Sequence, residues 1–126
     1  MIVFMANVGE RDLYYNVGTP DEPYFCHFRL GEDDEIRVAN HLGSKNGARY
    51  ISEKILQRLD RLQGEAQRLR YPILKTVMCE LLTGSDMVID KVVLVGTDQP
   101  QSTEERHRRR DTINTAKVLQ ELIKMD

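Results

Sequence analysis

Two short segments concentrate side chains that can bind a small ligand, and each follows an apolar run. The first is residues 7–12, Asn-Val-Gly-Glu-Arg-Asp, and the second is residues 96–99, Gly-Thr-Asp-Gln. Asparagine and glutamine offer both donors and acceptors, which suits a nucleobase edge or ribose hydroxyls. Arg11 offers a planar fork for a phosphate or a base face. The glycines would let a ligand approach the backbone closely.

The same two segments also have a purely structural interpretation. Asparagine and glycine after a strand are ordinary turn formers, and a neighbouring arginine and aspartate often form only a surface ion pair. Turn chemistry alone explains either segment taken by itself. The occurrence of both at the ends of apolar runs favours a ligand site.

A third candidate is residues 43–49, GSKNGAR, which precede a long amphipathic segment. Backbone N–H groups at a helix N-terminus, with Lys45 and Arg49 nearby, are suited to an anion. The segment matches neither GxxxxGK[ST] nor GxGxxG, and a flexible turn remains an alternative. Residues 107–110, HRRR, are suited to phosphate contact as well, but such a charge run is more often a solvated face.

Hydrophobic periodicity predicts the elements that position these segments. The apolar runs at 2–8 and 90–95 predict buried strands, and two aromatic clusters within 14–28 predict a hairpin. The acidic run at 31–35 predicts a solvated loop, and residues 36–42 after it predict a short strand.

The period changes from about residue 47. Apolar residues then recur at steps of three and four as far as Ile73, which predicts one amphipathic helix that Pro72 ends or kinks. A second helix is expected over 73–82, and a last helix is expected to begin at Asp111 as its N-cap. This order predicts an α/β domain with a largely parallel central sheet. In such sheets, ligands bind at the carboxyl ends of the strands.

Composition narrows the function classes. The 126 residues are expected to form a single domain, 1–126, and a net charge of −2 gives no general attraction to DNA or to an anionic membrane. Two distant cysteines and three histidines without ligand spacing predict no metal site, and no cofactor is expected. No stretch approaches the roughly 20 apolar residues of a membrane span. The apolar N-terminal run is too short for a signal peptide, so a cytoplasmic protein is expected.

Four segments together resemble the CARF domain, the CRISPR-associated Rossmann fold. They are ANVGERDL (6–13), GAR (47–49), KVVLVGTDQP (91–100) and RDTINTAKVLQELI (110–123). The resemblance implies a Rossmann-like three-layer domain. It also implies a homodimer that binds a cyclic oligoadenylate second messenger across its two-fold axis, with cyclic tetra-adenylate favoured, and thereby activates a type III CRISPR effector.

By position, the resemblance assigns ligand contacts to the two strand-end segments, to Arg49 and to the start of the last helix. These residues are Asn7, Gly9, Arg11, Asp12, Arg49, Gly96, Thr97, Asp98, Gln99, Asp111, Thr112 and Asn114. Family members usually carry an attached effector, and no second domain fits in this length, so the effector is expected to be absent or removed.

Two other functions stay open. A ring nuclease would slowly cleave the same ligand, but no general base is evident beside the two segments, so a non-enzymatic sensor is expected. The other alternative is a plain α/β interaction domain without a small ligand.

Overall fold

The computed structural model describes residues 3–29, 31–61, 64–83, 91–100 and 102–125. The strands are β1 (Val3–Asn7), β2 (Tyr14–Asn16), β3 (Phe25–His27), β4 (Leu69–Arg70) and β5 (Lys91–Val95). The helices are α1 (Asp33–Leu42), α2 (Ala48–Arg61), α3 (Pro72–Thr83), α4 (Glu105–Arg108) and α5 (Ile113–Met125), with a 3-10 turn at Glu65–Arg68. The fold is mixed α/β, as the sequence predicts.

The first and last strands pair directly and in parallel. β1 lies beside β5 with Val3 opposite Lys91 and Asn7 opposite Val95. One face of this pair is turned inward, where Phe4, Ala6 and Leu94 pack against the core. The other face is exposed, with Met5 66% exposed, so the prediction that both strands are buried is wrong for this face.

The predicted hairpin is confirmed. β2 pairs antiparallel with β3 on one side and with β4 on the other. Because side chains alternate along a strand, Tyr15, Cys26 and Leu69 all point to the core from this sheet and are buried. Burial raises the pKa of the Cys26 thiol to about 11.

The described strands therefore form two small sheets, of which the parallel one has two strands and the antiparallel one has three. The expectation of a largely parallel central sheet holds for β1 and β5. It does not hold for residues 14–28, where the chain turns back and β3 pairs antiparallel with β2.

The predictions for residues 31–42 are wrong. Neither an acidic loop nor a strand forms there, because Asp33, Asp34 and Glu35 make the first turn of α1. Carboxylates at this end of a helix interact favourably with the helix dipole. Gly43, with φ of 67°, ends the helix in the left-handed conformation that glycine favours.

Glu35 is fully buried and holds two loops to α1. Its Oε1 accepts a hydrogen bond from the backbone N–H of Gly47 at 2.5 Å, and its Oε2 accepts one from Gly31 at 3.0 Å. The backbone N–H of Gly47, within the 43–49 segment predicted as an anion site, thus already binds a carboxylate of the chain itself.

The long amphipathic helix is shorter than predicted. α2 ends at Arg61, and Gly64 has φ of 95°, a left-handed backbone that does not continue a helix. Of the apolar positions after Gly64, Ala66 lies in the 3-10 turn, Leu69 in β4 and Ile73 in α3. Pro72 begins α3 instead of ending a helix, since the first helical position needs no N–H donor.

The core lies where α2 and α5 pack against each other. Ile51 and Ile55 of α2 and Leu119 of α5 are fully buried, and the hydroxyls of Ser52 and Thr115 form a hydrogen bond of 2.7 Å between the two helices. The predicted last helix is confirmed, with its first helical residue at Ile113. Within the described ranges, no helix combines the length and the apolar character needed to cross a membrane.

Replacing Glu35 with alanine should destabilise the fold by about 1–3 kcal/mol, because the buried N–H of Gly47 and the more exposed N–H of Gly31 would lose their acceptor. Urea unfolding at neutral pH measures this change. Glu53→Ala, at an exposed position of α2, is the matched control and should change the free energy of unfolding by less than about 0.5 kcal/mol. Equal effects of the two substitutions would contradict this role of Glu35.

Candidate functional site

The two polar segments meet at the carboxyl edge of the parallel pair. β1 and β5 end side by side, and the backbone N–H of Val8 donates to the carbonyl of Val95 at 2.8 Å. A side-chain contact also links the first segment to the 107–110 run, since Arg110 Nε lies 3.1 Å from Glu10 Oε1. The prediction that each segment follows a strand is therefore confirmed, and the structure shows that the two strands are neighbours.

Hydrogen bonds to the Asp111 carboxylate hold the second segment, residues 96–99, in place. One carboxylate oxygen, Oδ2, accepts from Arg49 Nη2 at 2.6 Å and from the backbone N–H of Gln99 at 2.7 Å. The other oxygen, Oδ1, accepts from Gln99 Nε2 at 2.9 Å. Asp111 is 1% exposed. It does not cap α5 as predicted, because its carboxylate points to the 96–99 loop and to α2.

Two threonines close the same loop onto the start of α5. The N–H of Thr97 donates to Thr112 Oγ1 at 3.0 Å, and the N–H of Thr112 donates to Thr97 Oγ1 at 2.9 Å. The N–H of Ile113 also donates to the carbonyl of Thr97 at 2.9 Å. Thr112 directly precedes α5, and its carbonyl accepts from the N–H of Ala116 at 2.9 Å, so Thr112 occupies the N-cap position.

Arg49 ties α2 to this network instead of pointing to solvent. Its Nη2 contacts Asp98 Oδ1 at 2.7 Å as well as Asp111, and its Nε donates to the carbonyl of Arg108 at 3.1 Å. Asn114 Nδ2 donates to the carbonyl of Arg49 at 3.1 Å. The Arg49 side chain is only 12% exposed. Its predicted phosphate or adenine contact would compete with two carboxylates.

These contacts shift the ionisation of both partners. Burial by itself raises the pKa of Asp111, but hydrogen bonds from Arg49 and Gln99 outweigh it and hold that pKa below its ordinary value. Burial lowers the pKa of Arg49, and the carboxylates of Asp111 and Asp98 more than reverse this, so that it is raised. The pair is charged at neutral pH.

The first segment is more open. The N–H of Gly9 donates to Asp12 Oδ2 at 2.6 Å, which closes a tight turn. Arg11 is 54% exposed and lies 3.5 Å from Glu32, a pairing that leaves its guanidinium accessible. Asn7, at the end of β1, is also exposed.

The predicted site residues thus divide into two groups. One group is held in contacts within the fold and comprises Asp12, Arg49, Thr97, Gln99, Asp111, Thr112 and Asn114. The other presents side chains to solvent and comprises Asn7, Arg11 and Asp98. The pairing of Arg49 with Asp111 joins residues 62 positions apart. Spacing along the sequence gave no signal for it.

The two glycines have different roles. A Cβ atom at Gly96 would lie 2.6 Å from the carbonyl oxygen of Thr112, so the absence of a side chain lets β5 approach α5. A Cβ atom at Gly9 would meet only Asp12 Oδ2 at 3.6 Å, an ordinary contact. The space beside Gly96 is therefore occupied by the backbone of Thr112 and Ile113.

Among the described residues, no group of histidine, cysteine, aspartate or glutamate side chains is arranged to hold a metal ion. Comparison with family models, with curated proteins and with solved structures gave no match.

Asp111→Asn should destabilise the protein by about 2–3 kcal/mol at neutral pH, because Arg49 loses its buried counter-charge. The folded-state pKa of Asp111 lies below its ordinary value, so its contribution is present above the unfolded-state pKa and is lost as the pH falls through the folded-state pKa. The difference between the two proteins in urea unfolding should therefore shrink in acid.

Asp98→Asn is the control, since Asp98 contacts the same guanidinium but its side chain is 60% exposed. It should cost less than about 1 kcal/mol. A difference for Asp111→Asn that stays constant down to strongly acidic pH would contradict the assigned ion pair.

Gly96→Ala should destabilise the fold by about 1–3 kcal/mol, because the new methyl group would overlap the first residues of α5. Gly9→Ala is the matched control and should be nearly neutral. Thermal unfolding followed by circular dichroism measures both. A larger effect at Gly9 than at Gly96 would show that the close approach of β5 to α5 is misassigned.

Proposed function

We propose that this chain is a CARF-type sensor domain that binds a cyclic oligoadenylate, with cyclic tetra-adenylate favoured. The observation that carries the proposal is the meeting of the two polar segments at the carboxyl ends of β1 and β5, which are adjacent parallel strands. Ligands of open α/β sheets bind at this edge. The name of the ligand comes from the resemblance of the four segments to that family.

The exposed side chains at this edge have suitable chemistry for a nucleotide. The Asn7 amide can read a base edge through its donor and acceptor, and the Arg11 guanidinium can bind a phosphate through its planar fork. The Asp98 carboxylate can accept hydrogen bonds from ribose hydroxyls. The buried contacts of Asp111 and Gln99 fix the loop that carries Asp98, which reduces the ordering that binding would require.

The homodimer in this proposal has a candidate surface beside the same edge. Val3, Met5 and Asn7 share one face of β1, and Val95 lies opposite Asn7 in the register of the pair. Val3, Met5 and Val95 are 43%, 66% and 44% exposed. Parallel sheets are normally covered on both faces. A second copy on this face would pack its own β1–β5 pair against this one and cover Val3, Met5 and Val95 beside the ligand edge.

Ligand binding at a shared interface would favour one relative orientation of the two subunits. In the proposed role, this change activates an attached or associated effector of type III CRISPR immunity. A cytoplasmic location belongs to the same proposal.

Isothermal titration calorimetry with cyclic tetra-adenylate, cyclic hexa-adenylate and linear tetra-adenylate tests the proposal. Binding restricted to the cyclic ligands, at one ring for two chains, is expected. Arg11→Ala should weaken binding by about 1–3 kcal/mol, or roughly 5- to 150-fold.

Arg61→Ala removes the same charge from an exposed position about 18 Å from Arg49 along α2, as the helical rise requires, and should leave the affinity unchanged. Chromatography of the incubated ligand separates a sensor from a ring nuclease, because only the latter yields linear products. Absence of binding to every adenylate would reject both functions.

A further inference from the structure

A cavity of about 590 Å³ opens on the outer face of the antiparallel sheet, and the residues that line it do not include the strand-end segments. Its walls come from β2, β3, the 3-10 turn, β4 and the start of α3, with one residue of α5. The side chains that matter for its chemistry are Tyr14, Phe25, Arg70, Tyr71, Lys75 and Leu122.

Side chains along these strands alternate between the two faces of the sheet, and the cavity forms on one of those faces. Tyr15, Cys26 and Leu69 are the inward positions, so Tyr14, Phe25 and Arg70 lie together on the opposite face. In the register of the sheet, Tyr14 is the direct partner of Arg70. Pro72 turns the chain into α3, and Lys75 follows within the first helical turn. The two cations thus come from separate elements, Arg70 from β4 and Lys75 from α3.

The two cations are held beside aromatic rings. Arg70 Cζ lies 5.2 Å from the centroid of the Phe25 ring, and Lys75 Nζ lies 5.9 Å from the centroid of the Tyr71 ring. Arg70 Nη1 donates to the carbonyls of Gln67 and Leu69 at 3.0 and 2.8 Å, which fixes one edge of the guanidinium. Among the described residues that line the cavity, none is acidic.

We propose that this cavity binds a small ligand that combines an aromatic ring with an anionic group. The volume lies in the range of about 300–1,000 Å³ that is typical of small-molecule sites, and most of the lining is apolar or aromatic. The ring would pack on Tyr14, Phe25 and Tyr71, where offset and edge-to-face contacts are favourable. The anionic group would lie between Arg70 and Lys75, whose positive charges face no carboxylate within the described lining. The site is independent of the proposed adenylate site.

The probe is 1-anilinonaphthalene-8-sulfonate, an aromatic anion that becomes fluorescent in apolar surroundings. Fluorescence titration of the full chain should show saturable binding at one site. N-phenyl-1-naphthylamine has the same rings without the sulfonate, and it should bind at least tenfold more weakly if the cations contribute about 1.4 kcal/mol. Equal affinity for the two compounds would overturn the anionic part of the proposal.

Lys75→Gln should weaken sulfonate binding by roughly tenfold, on the basis of one lost charge-assisted contact. It should leave the neutral compound's affinity unchanged. Lys117→Gln is the matched control, because Lys117 is an exposed lysine that lines a different groove, between β5 and α5. Sulfonate binding that responds to Lys117→Gln and not to Lys75→Gln would overturn the assignment of this cavity.

Phe25→Ala removes part of the aromatic wall and should weaken both compounds, with thermal unfolding used to confirm that the variant is folded. A folded Phe25→Ala protein with unchanged affinity for both compounds would also overturn the proposal. Because no adenylate is used, this result does not depend on the outcome at the strand-end loops.

Discussion

The buried carboxylate of Asp111 is the interaction on which the arrangement of the candidate site depends. It receives hydrogen bonds from Arg49, and from both the backbone and the side chain of Gln99. A charged group with 1% exposure is stable only when it is paired in this way. The pairing joins the start of α2, the loop after β5 and the start of α5, and it acts together with the hydrogen bonds between Thr97 and Thr112 to hold that loop.

Glu35 has a similar role in a different part of the chain. It is fully buried, and its two oxygens accept hydrogen bonds from the backbone at Gly31 and Gly47. The carboxylates of Glu35 and Asp111 accept hydrogen bonds from the Gly47 N–H and the Arg49 guanidinium, two donors that the sequence assigns to an anionic ligand. What remains accessible at the strand ends is the group of Asn7, Arg11 and Asp98, and our proposed adenylate site rests on those side chains.

Much of the fold could be predicted from local pattern. The two apolar runs, the aromatic hairpin and the last helix are found where the sequence places them, because periodicity and turn residues act over a few positions. α1 is not predicted, because an acidic run such as residues 31–35 is also typical of a solvated loop. Its signal was three acids followed by Val38, Ala39 and Leu42 at helical spacing and then by Gly43. The predicted long helix extends past the end of α2 at Arg61, because apolar residues keep a spacing of three or four residues on both sides of Gly64.

The sequence by itself determined the two parallel strands, the hairpin, the last helix, the mixed α/β class and the polar residues at two strand ends, since each depends on neighbouring residues. Tertiary structure decided which of those residues are available to a ligand. Arg49 and Asp111 lie 62 positions apart and meet only when α2 packs against α5. The cavity beside Tyr14 and Lys75 likewise forms only when the antiparallel sheet meets α3 and α5. Contacts between distant segments carry no local pattern, so their chemistry becomes visible only in the folded chain.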